Sequence, residues 1–268
     1  MMARQSRKIN LDQLKDIALK GVRRATVFMG LGINAANDPS VRRYELAHLT
    51  GIELVPAGVD EKTLSTFKAE FGLWVTECGL RELIERFALF LDAIHQACVS
   101  LAISRDRMQK EEGHKQQRTF PFKGIDEKLR LLKSRFDVGP SHPDYLSSIH
   151  QARNCLTHRS GRVGKEDCRG QSDFTIRWQS FDVLALEPGK ESPTPLPIPF
   201  PETPMEFKQG ARIQVRIAER KLTIKKGEFI RLSPKQLAEI CHCVTIATGE
   251  VCKALAEYAR TLGALETA

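Results

Sequence analysis

The sequence predicts a mainly α-helical protein: a bundle of helices with a small β-rich appendage before the last helix. Three observations predict it. Apolar residues recur at three- and four-residue steps in several segments between residues 11 and 159 and again near the C-terminus. Strand-like alternation takes over in two stretches, 174–186 and 211–232. Prolines at 193, 195, 197, 199 and 201 separate those stretches. The 268 residues divide accordingly: an N-terminal helix and connecting region (1–61), a helical core (62–167), a β-rich segment with a proline-rich linker (168–232) and a C-terminal helix that returns to the core (233–268).

Residues 11–29 read as a helix with Asn10 as its N-cap and Leu11, Leu14, Ile17, Ala18 and Val22 on one side. Gly30, Gly32, Pro39, Gly51, Pro56 and Gly58 mark 30–61 as a connection. From Lys62 to about Met108 runs the longest periodic segment. Leu64, Phe67, Phe71, Trp74 and Cys78 begin a stripe that Ile84, Phe87, Leu91, Ile94, Cys98 and Leu101 continue. Unbroken, it spans roughly 60–70 Å at 1.5 Å per residue, with Gly72 and Gly79 as places for a kink. Residues 109–122 are polar and predict a loop, 125–136 a short amphipathic helix stopped by Gly139-Pro140-Ser141-His142-Pro143. A helix from about Asp144 buries Tyr145, Ile149, Ala152 and Leu156.

Phe174–Leu186 predicts one or two strands. Ala211–Leu232 predicts two or three, with turns near Glu219-Arg220-Lys221 and Lys226-Gly227. Proline at every second position between them enforces an extended arm. Ser233-Pro234 opens the last helix as N-cap and N1, and that helix runs to about Leu262.

The mean composition is that of a soluble globular protein: 41% hydrophobic and 28% charged residues. No stretch reaches the roughly 18 uninterrupted apolar residues of a membrane span, and the basic N-terminus lacks the apolar run of a secretory signal. No membrane association and a cytoplasmic location are the resulting expectations. Seven cysteines lack a disulfide rhythm. Cys241-His242-Cys243 with Cys252 has no C-x-x-C pair, and neighbouring helical side chains diverge, so neither metal nor cofactor is expected. The net charge of +8 concentrates in 103–136, with ten Lys/Arg against five Asp/Glu, and in 205–231, with eight against three. Such charge suits a polyanion but equally a solvated surface.

The chemistry concentrates in Arg153-Asn154-Cys155-Leu156-Thr157-His158, followed by Arg159-Ser160-Gly161-Arg162-Val163. On a helix, His150, Asn154 and His158 form one column, each about 40° from the next, whereas Arg153 lies about 140° from His158. A straight helix therefore keeps guanidinium and imidazole on different faces. Unwinding of the last turn, or two such helices paired across a twofold axis, brings them to one cleft. An arginine and a histidine in a last turn before glycine are also how ordinary helices end.

Arg153-Asn154-x-x-x-His158, followed by a glycine and an apolar residue, resembles the signature of the HEPN (higher eukaryotes and prokaryotes nucleotide-binding) superfamily. The resemblance covers about residues 62–165 and the last helix, and leaves the β-rich part unexplained. It implies a HEPN-like helical bundle, commonly a homodimer, acting as a metal-independent endoribonuclease in toxin–antitoxin or defence systems. By that resemblance RNA is the substrate and an antitoxin or regulatory protein a further partner. The ribose 2′-OH attacks the adjacent phosphorus, leaving 2′,3′-cyclic phosphate ends. His158 acts as general base or acid, Arg153 stabilises charge on the non-bridging oxygens, and Asn154 orients the imidazole or a substrate oxygen. His150, Arg159, Arg162 and Lys165 are candidate substrate-binding residues. The alternative is a non-catalytic helical module that binds a nucleotide, nucleic acid or a partner protein. A DNA-binding regulator is a weaker third reading, because no helix-turn-helix pattern is evident.

Overall fold

A computed structural model describes residues 9–41, 60–190, 192–196, 205–207 and 209–264. Its described residues form seven α-helices and a three-stranded antiparallel sheet inserted before the last helix. The spine is α2 (Glu61–Ser104), 44 residues without a break. Beside it lie α1 (Leu11–Asn37) and α7 (Pro234–Thr261), which also pack on each other. α3 (Lys110–Thr119), α4 (Ile125–Phe136) and α5 (Pro143–Arg159) meet α2 as well.

The caps explain where these helices start. Asn10 Oδ1 accepts from the backbone N–H of Asp12 and Gln13, and Asp60 Oδ1 from that of Thr63. Ser233 and Gln236 form a reciprocal capping box with Pro234 in the first turn of α7. Two of the glycines that suggested breaks, Gly32 and Gly79, are instead close-approach points. A Cβ at Gly32 of α1 would lie 2.9 Å from Val75, and one at Gly79 of α2 would lie 2.8 Å from Leu237. Both helices therefore continue through their glycines, and α1 reaches Asn37 rather than ending near residue 29.

Around α2 the core is continuous. Leu80, Leu83, Phe87, Phe90, Leu91 and Ile94 are fully covered, together with Ile149 of α5 and Leu237, Ile240 and Val244 of α7. An 18-residue window of α2 has a mean hydropathy of 1.6, and half of it is buried inside the protein. The expected 109–122 loop is helical: α3 is followed by a 3-10 turn at Phe120–Phe122. Its polar sequence concealed one anchoring contact, in which the Phe120 ring stacks on His95 of α2 at 3.8 Å. Nearby, Lys128 of α4 is buried against Asp92 of α2 at 2.7 Å, with its ammonium 5.8 Å from the Phe120 ring centre.

The β-rich region is one sheet, ordered β2 (Thr194–Leu196), β1 (Asp173–Leu186), β3 (Arg212–Lys225). β1 and β3 pair over their whole length, from Asp173↔Lys225 to Leu186↔Arg212. The turn expected at Glu219-Arg220-Lys221 is absent because β3 runs straight through it; the turn at Lys226-Gly227 is present, with φ +90° at Gly227. Pro195 lies in β2, while Pro197, Pro199 and Pro201, like Gly51, Pro56 and Gly58 of the expected connection, lie outside the described residues. Phe174, Ile176 and Trp178 carry the sheet into the main core. Trp178 Nε1 donates to Glu239 on α7 (2.9 Å), and Ser148 Oγ of α5 both donates to the Arg177 carbonyl and accepts from its N–H.

His95 ties this fold to pH. Burial, then the charges of Arg135 and Lys128, hold its pKa down at about 4 against an ordinary 6.5, with a hydrogen bond to Gln116 acting the other way. The unfolded chain takes up this proton below about pH 6.5, but the folded chain does so only near 4. Stability therefore falls as pH drops from 6.5 to 4 and is level above that window. The loss is on the order of 3 kcal/mol at about 1.4 kcal/mol per unit. Urea titrations at pH 4, 5, 6 and 7 should show the slope. His95→Phe, which keeps the stacked ring but cannot titrate, should lose that component, and an unchanged slope would refute the assignment.

Candidate functional site at the end of helix α5

Helix α5 starts with Pro143 in its first turn and ends where Ser160 and Gly161 adopt left-handed conformations, with φ of +50° and +78°. Gly161 is well suited to that conformation. Its N–H returns to the Cys155 carbonyl at 3.1 Å, which closes the helix. The segment beyond is clamped to the chain following β3: Val163 N–H donates to Glu228, Gly227 N–H to Val163 and Ile230 N–H to Gly161, each at 2.9 Å. The glycine and apolar residue after the motif thus have a structural task, with Val163 buried.

Helix α5 is regular through Arg159, so the last turn does not unwind to bring Arg153 and His158 together. The structure instead joins Arg153, Asn154 and His150. Arg153 Nη1 donates to Asn154 Oδ1 at 3.2 Å, and Asn154 Nδ2 faces His150 Nε2 at 3.3 Å. An amide N–H₂ can only donate, so Nε2 accepts and the ring proton resides on Nδ1. That nitrogen faces Asp126 Oδ1 on α4 at 3.6 Å. At the other end, Arg153 Nη2 meets Glu85 of α2 at 2.7 Å. One polar chain, Asp126–His150–Asn154–Arg153–Glu85, therefore crosses three helices. Burial pushes the Asp126 carboxyl up, but His150, Ser147 and Arg169 around it more than offset this and hold it below the usual aspartate value. Arg153 is 21% exposed and Glu85 54%. The guanidinium lies at the rim of the seam, and its Nε is buried without a hydrogen-bond partner among the described residues.

His158 continues the His150–Asn154 column into solvent. It is exposed and makes no hydrogen bond or ion pair with a described residue. Arg162 and Lys165 are exposed too; Arg162 Nε reaches the Gly227 carbonyl at 3.4 Å. Arg159 is placed differently. Its guanidinium grips Asp167 with two nitrogens and lies 3.2 Å from Glu166. Asp167, whose side chain is 4% exposed, also accepts from the Gly164 N–H at 2.8 Å and so caps α6 (Lys165–Cys168). Glu85, Asp126 and Arg169 were not among the sequence-predicted residues. Asp126 is in the first turn of an acidic helix start and Glu85 in a polar gap of the α2 stripe, so neither carried a signal beyond ordinary helix chemistry.

A shallow surface dimple between α2, α5 and the segment after β3 is lined by Leu73, Thr76, Glu77, Leu156, Ile230, Arg231 and Leu232 and has no room for a ligand. The motif's polar side chains lie outside it. Burial pushes the Cys241 and Cys243 thiols up to about 12 and about 11. No cluster of three His, Cys, Asp or Glu side chains suited to a metal ion occurs among the described residues. Comparison of the chain with protein-family models, curated proteins and solved structures gives no match.

The contrast between Arg159 and Arg162 is measurable. Arg159→Ala leaves the buried Asp167 carboxylate with only a backbone partner and should cost about 2–4 kcal/mol, whereas Arg162→Ala should stay within about 0.5 kcal/mol. Equal midpoints in urea for the two variants would remove the strap role from Arg159.

Proposed function

We infer that the protein is a metal-independent endoribonuclease of HEPN type. The supporting observation is the arrangement at the end of α5: a guanidinium at the rim, hydrogen-bonded to Asn154, with the solvent-facing imidazole of His158 one turn beyond that amide. RNA carries its own nucleophile, so the protein needs only to hold the phosphate, stabilise its growing charge and move a proton. Arg153 binds the phosphate through its fork of N–H donors. His158 removes the 2′-OH proton as the oxygen closes on phosphorus and the bond from phosphorus to the 5′-oxygen breaks. The 5′-oxygen takes a proton from solvent water to leave as an alcohol, and the imidazolium then returns its own proton to solvent. The 2′,3′-cyclic phosphate remains at the 3′ end of the upstream fragment, and the downstream fragment begins with a free 5′-OH. Asn154, held between His150 and Arg153, fixes the guanidinium's orientation.

Within one chain Arg153 and His158 project on different sides of α5. This reading therefore places a second copy's α5 against the first, so that the cleft receives an arginine from one helix and a histidine from the other. Arg162 and Lys165, both exposed, add positive charge along the RNA path, and their contribution is salt-dependent. An antitoxin or regulatory protein covering this surface would restrain the activity.

A second reading has its own support. The 2.7 Å pairing of Arg153 with Glu85 already satisfies much of the guanidinium, as a structural arginine in a non-catalytic binding module would have it. Cleavage assays on a mixed set of RNAs with EDTA present separate the two. The parent protein should cut RNA and spare DNA, leaving 2′,3′-cyclic ends, and Arg153→Ala and His158→Ala should each lose at least about a hundredfold. RNA binding without cleavage by the parent, unchanged in His158→Ala, would establish the module instead.

A further inference from the structure

β3 is an edge strand: among the described residues it has a neighbour on the β1 side only. At 14 residues it is long for an edge, and an open edge of this length invites another strand. Its first half carries Ile213, Val215 and Ile217 on one face, with 52%, 64% and 70% of their surface exposed. Their partners on β1 are Ala185, Val183 and Phe181. Val183 and Ala185 are buried in a small second cluster with Leu196. The apolar surface thus continues from a covered patch to three uncovered β-branched side chains at the open edge. The alternate residues on the opposite face are Arg212, Gln214 and Arg216.

We propose that this edge pairs with β3 of a second copy, antiparallel, about a twofold axis at Val215. The sequence of the strand selects both the occupant and the register. With Val215 facing itself, Ile213 of each copy lies opposite Ile217 of the other, and the whole ladder closes on itself. On the other face Gln214 meets Arg216, and Arg212 meets Ala218, so no like charges oppose. Moving the axis to Gln214 sets Arg212 against Arg216. Moving it to Arg216 sets that residue against its own copy and Arg212 against Arg220. An axis at Ile217 puts Val215 against Glu219 and Ile213 against Lys221. Direct opposition of like charges destabilises a strand pair, while β-branched cross-strand pairs stabilise it. One register therefore aligns all three apolar residues without repulsion, as a self-complementary twofold interface requires. Any residue-centred antiparallel register also lets the outward N–H and C=O groups of both strands pair.

This inference does not rest on the ribonuclease reading. The ladder occupies the N-terminal half of β3, whereas the motif's end of α5 is clamped to the chain just after the C-terminal end of that strand. The pairing does not require association through α5.

Sedimentation equilibrium of the full 30.2 kDa chain measures the association directly. The parent should self-associate through this edge at micromolar concentration, and Val215→Lys, which opposes its own copy, should weaken that association by at least roughly a hundredfold while the far-UV circular dichroism stays that of the parent. Ile213→Lys and Ile217→Glu should each weaken it alone. Together in one chain they should recover most of the loss, because in this register each introduced lysine faces an introduced glutamate. A dimer indifferent to Val215→Lys would overturn the proposal, as would a double variant no better than the worse single. A parent that stays monomeric up to about 100 μM would overturn it too.

Discussion

A helix of 44 residues with aliphatic and aromatic side chains around much of its girth cannot be covered by a single neighbour. One helix packed against another hides a stripe, and α2 has more than a stripe to hide: Phe90, Leu80, Ile84 and Val99 are spread over roughly 180° of the helix at about 100° per residue, yet each is buried. The fold meets this constraint by placing α1, α3, α4, α5 and α7 against α2. Full burial of a large apolar side chain contributes about 1.5–3 kcal/mol, so this one helix supplies a large share of the driving force. The chain from residues 165 to 232 is free to form a sheet because α7, not the sheet, completes the bundle. The sheet then takes its place through Phe174, Ile176 and Trp178 and through the Trp178–Glu239 hydrogen bond.

The polar chain from Asp126 to Glu85 runs over this apolar foundation rather than through it. Of its terminal carboxylates Glu85 is exposed and Asp126 half-buried, and ion pairs at the surface contribute about 0–1 kcal/mol each. Stability therefore gives little reason for this arrangement. Its effect is geometric: the amide of Asn154 bridges the His150 imidazole and one edge of Arg153 and so fixes both. A guanidinium held in this way loses less side-chain entropy when it binds an anion. The Arg159–Asp167 pair has the opposite character. Asp167 is nearly inaccessible, so the pair and the Gly164 N–H together hold the turn beyond the motif.

Much of the helical architecture was legible because its signals are local. Asn10 and Ser233-Pro234 mark helix starts, residues 125–136 are bounded by glycines, and the Tyr145, Ile149, Ala152 and Leu156 stripe of α5 is buried as its spacing requires. What the sequence concealed depended on distant partners. The glycines at 32 and 79 look like breaks until Val75 and Leu237 are seen beside them. Residues 110–119 have almost no apolar stripe, and their helix is secured at its end by Phe120 on His95. β3 runs through Glu219 because β1 offers an uninterrupted partner, with Arg177 pairing to that glutamate at 3.0 Å. Glu85 and Asp126 reach the α5 motif from 68 and 24 residues away in sequence, which single-helix spacing cannot reveal.

The two halves of the sheet obey different constraints. From Asp173 to Ser180, β1 alternates strictly, with Phe174, Ile176, Trp178 and Ser180 buried, because one face lies on the bundle. Beyond Asp182 the alternation fails, and Val183, Leu184 and Ala185 are buried in succession. A strand covered on both faces needs apolar residues at consecutive positions, and β1 supplies them there. β3 does not share that cover: opposite Val183 and Ala185 it places Val215 and Ile213, apolar and exposed. A polar edge would have been the simpler solution for solubility, and the remainder of β3, with Glu219, Lys221 and Lys225, adopts it. Apolar residues concentrated where cover is missing, on a strand that is otherwise charged, are what a surface made to meet another surface requires.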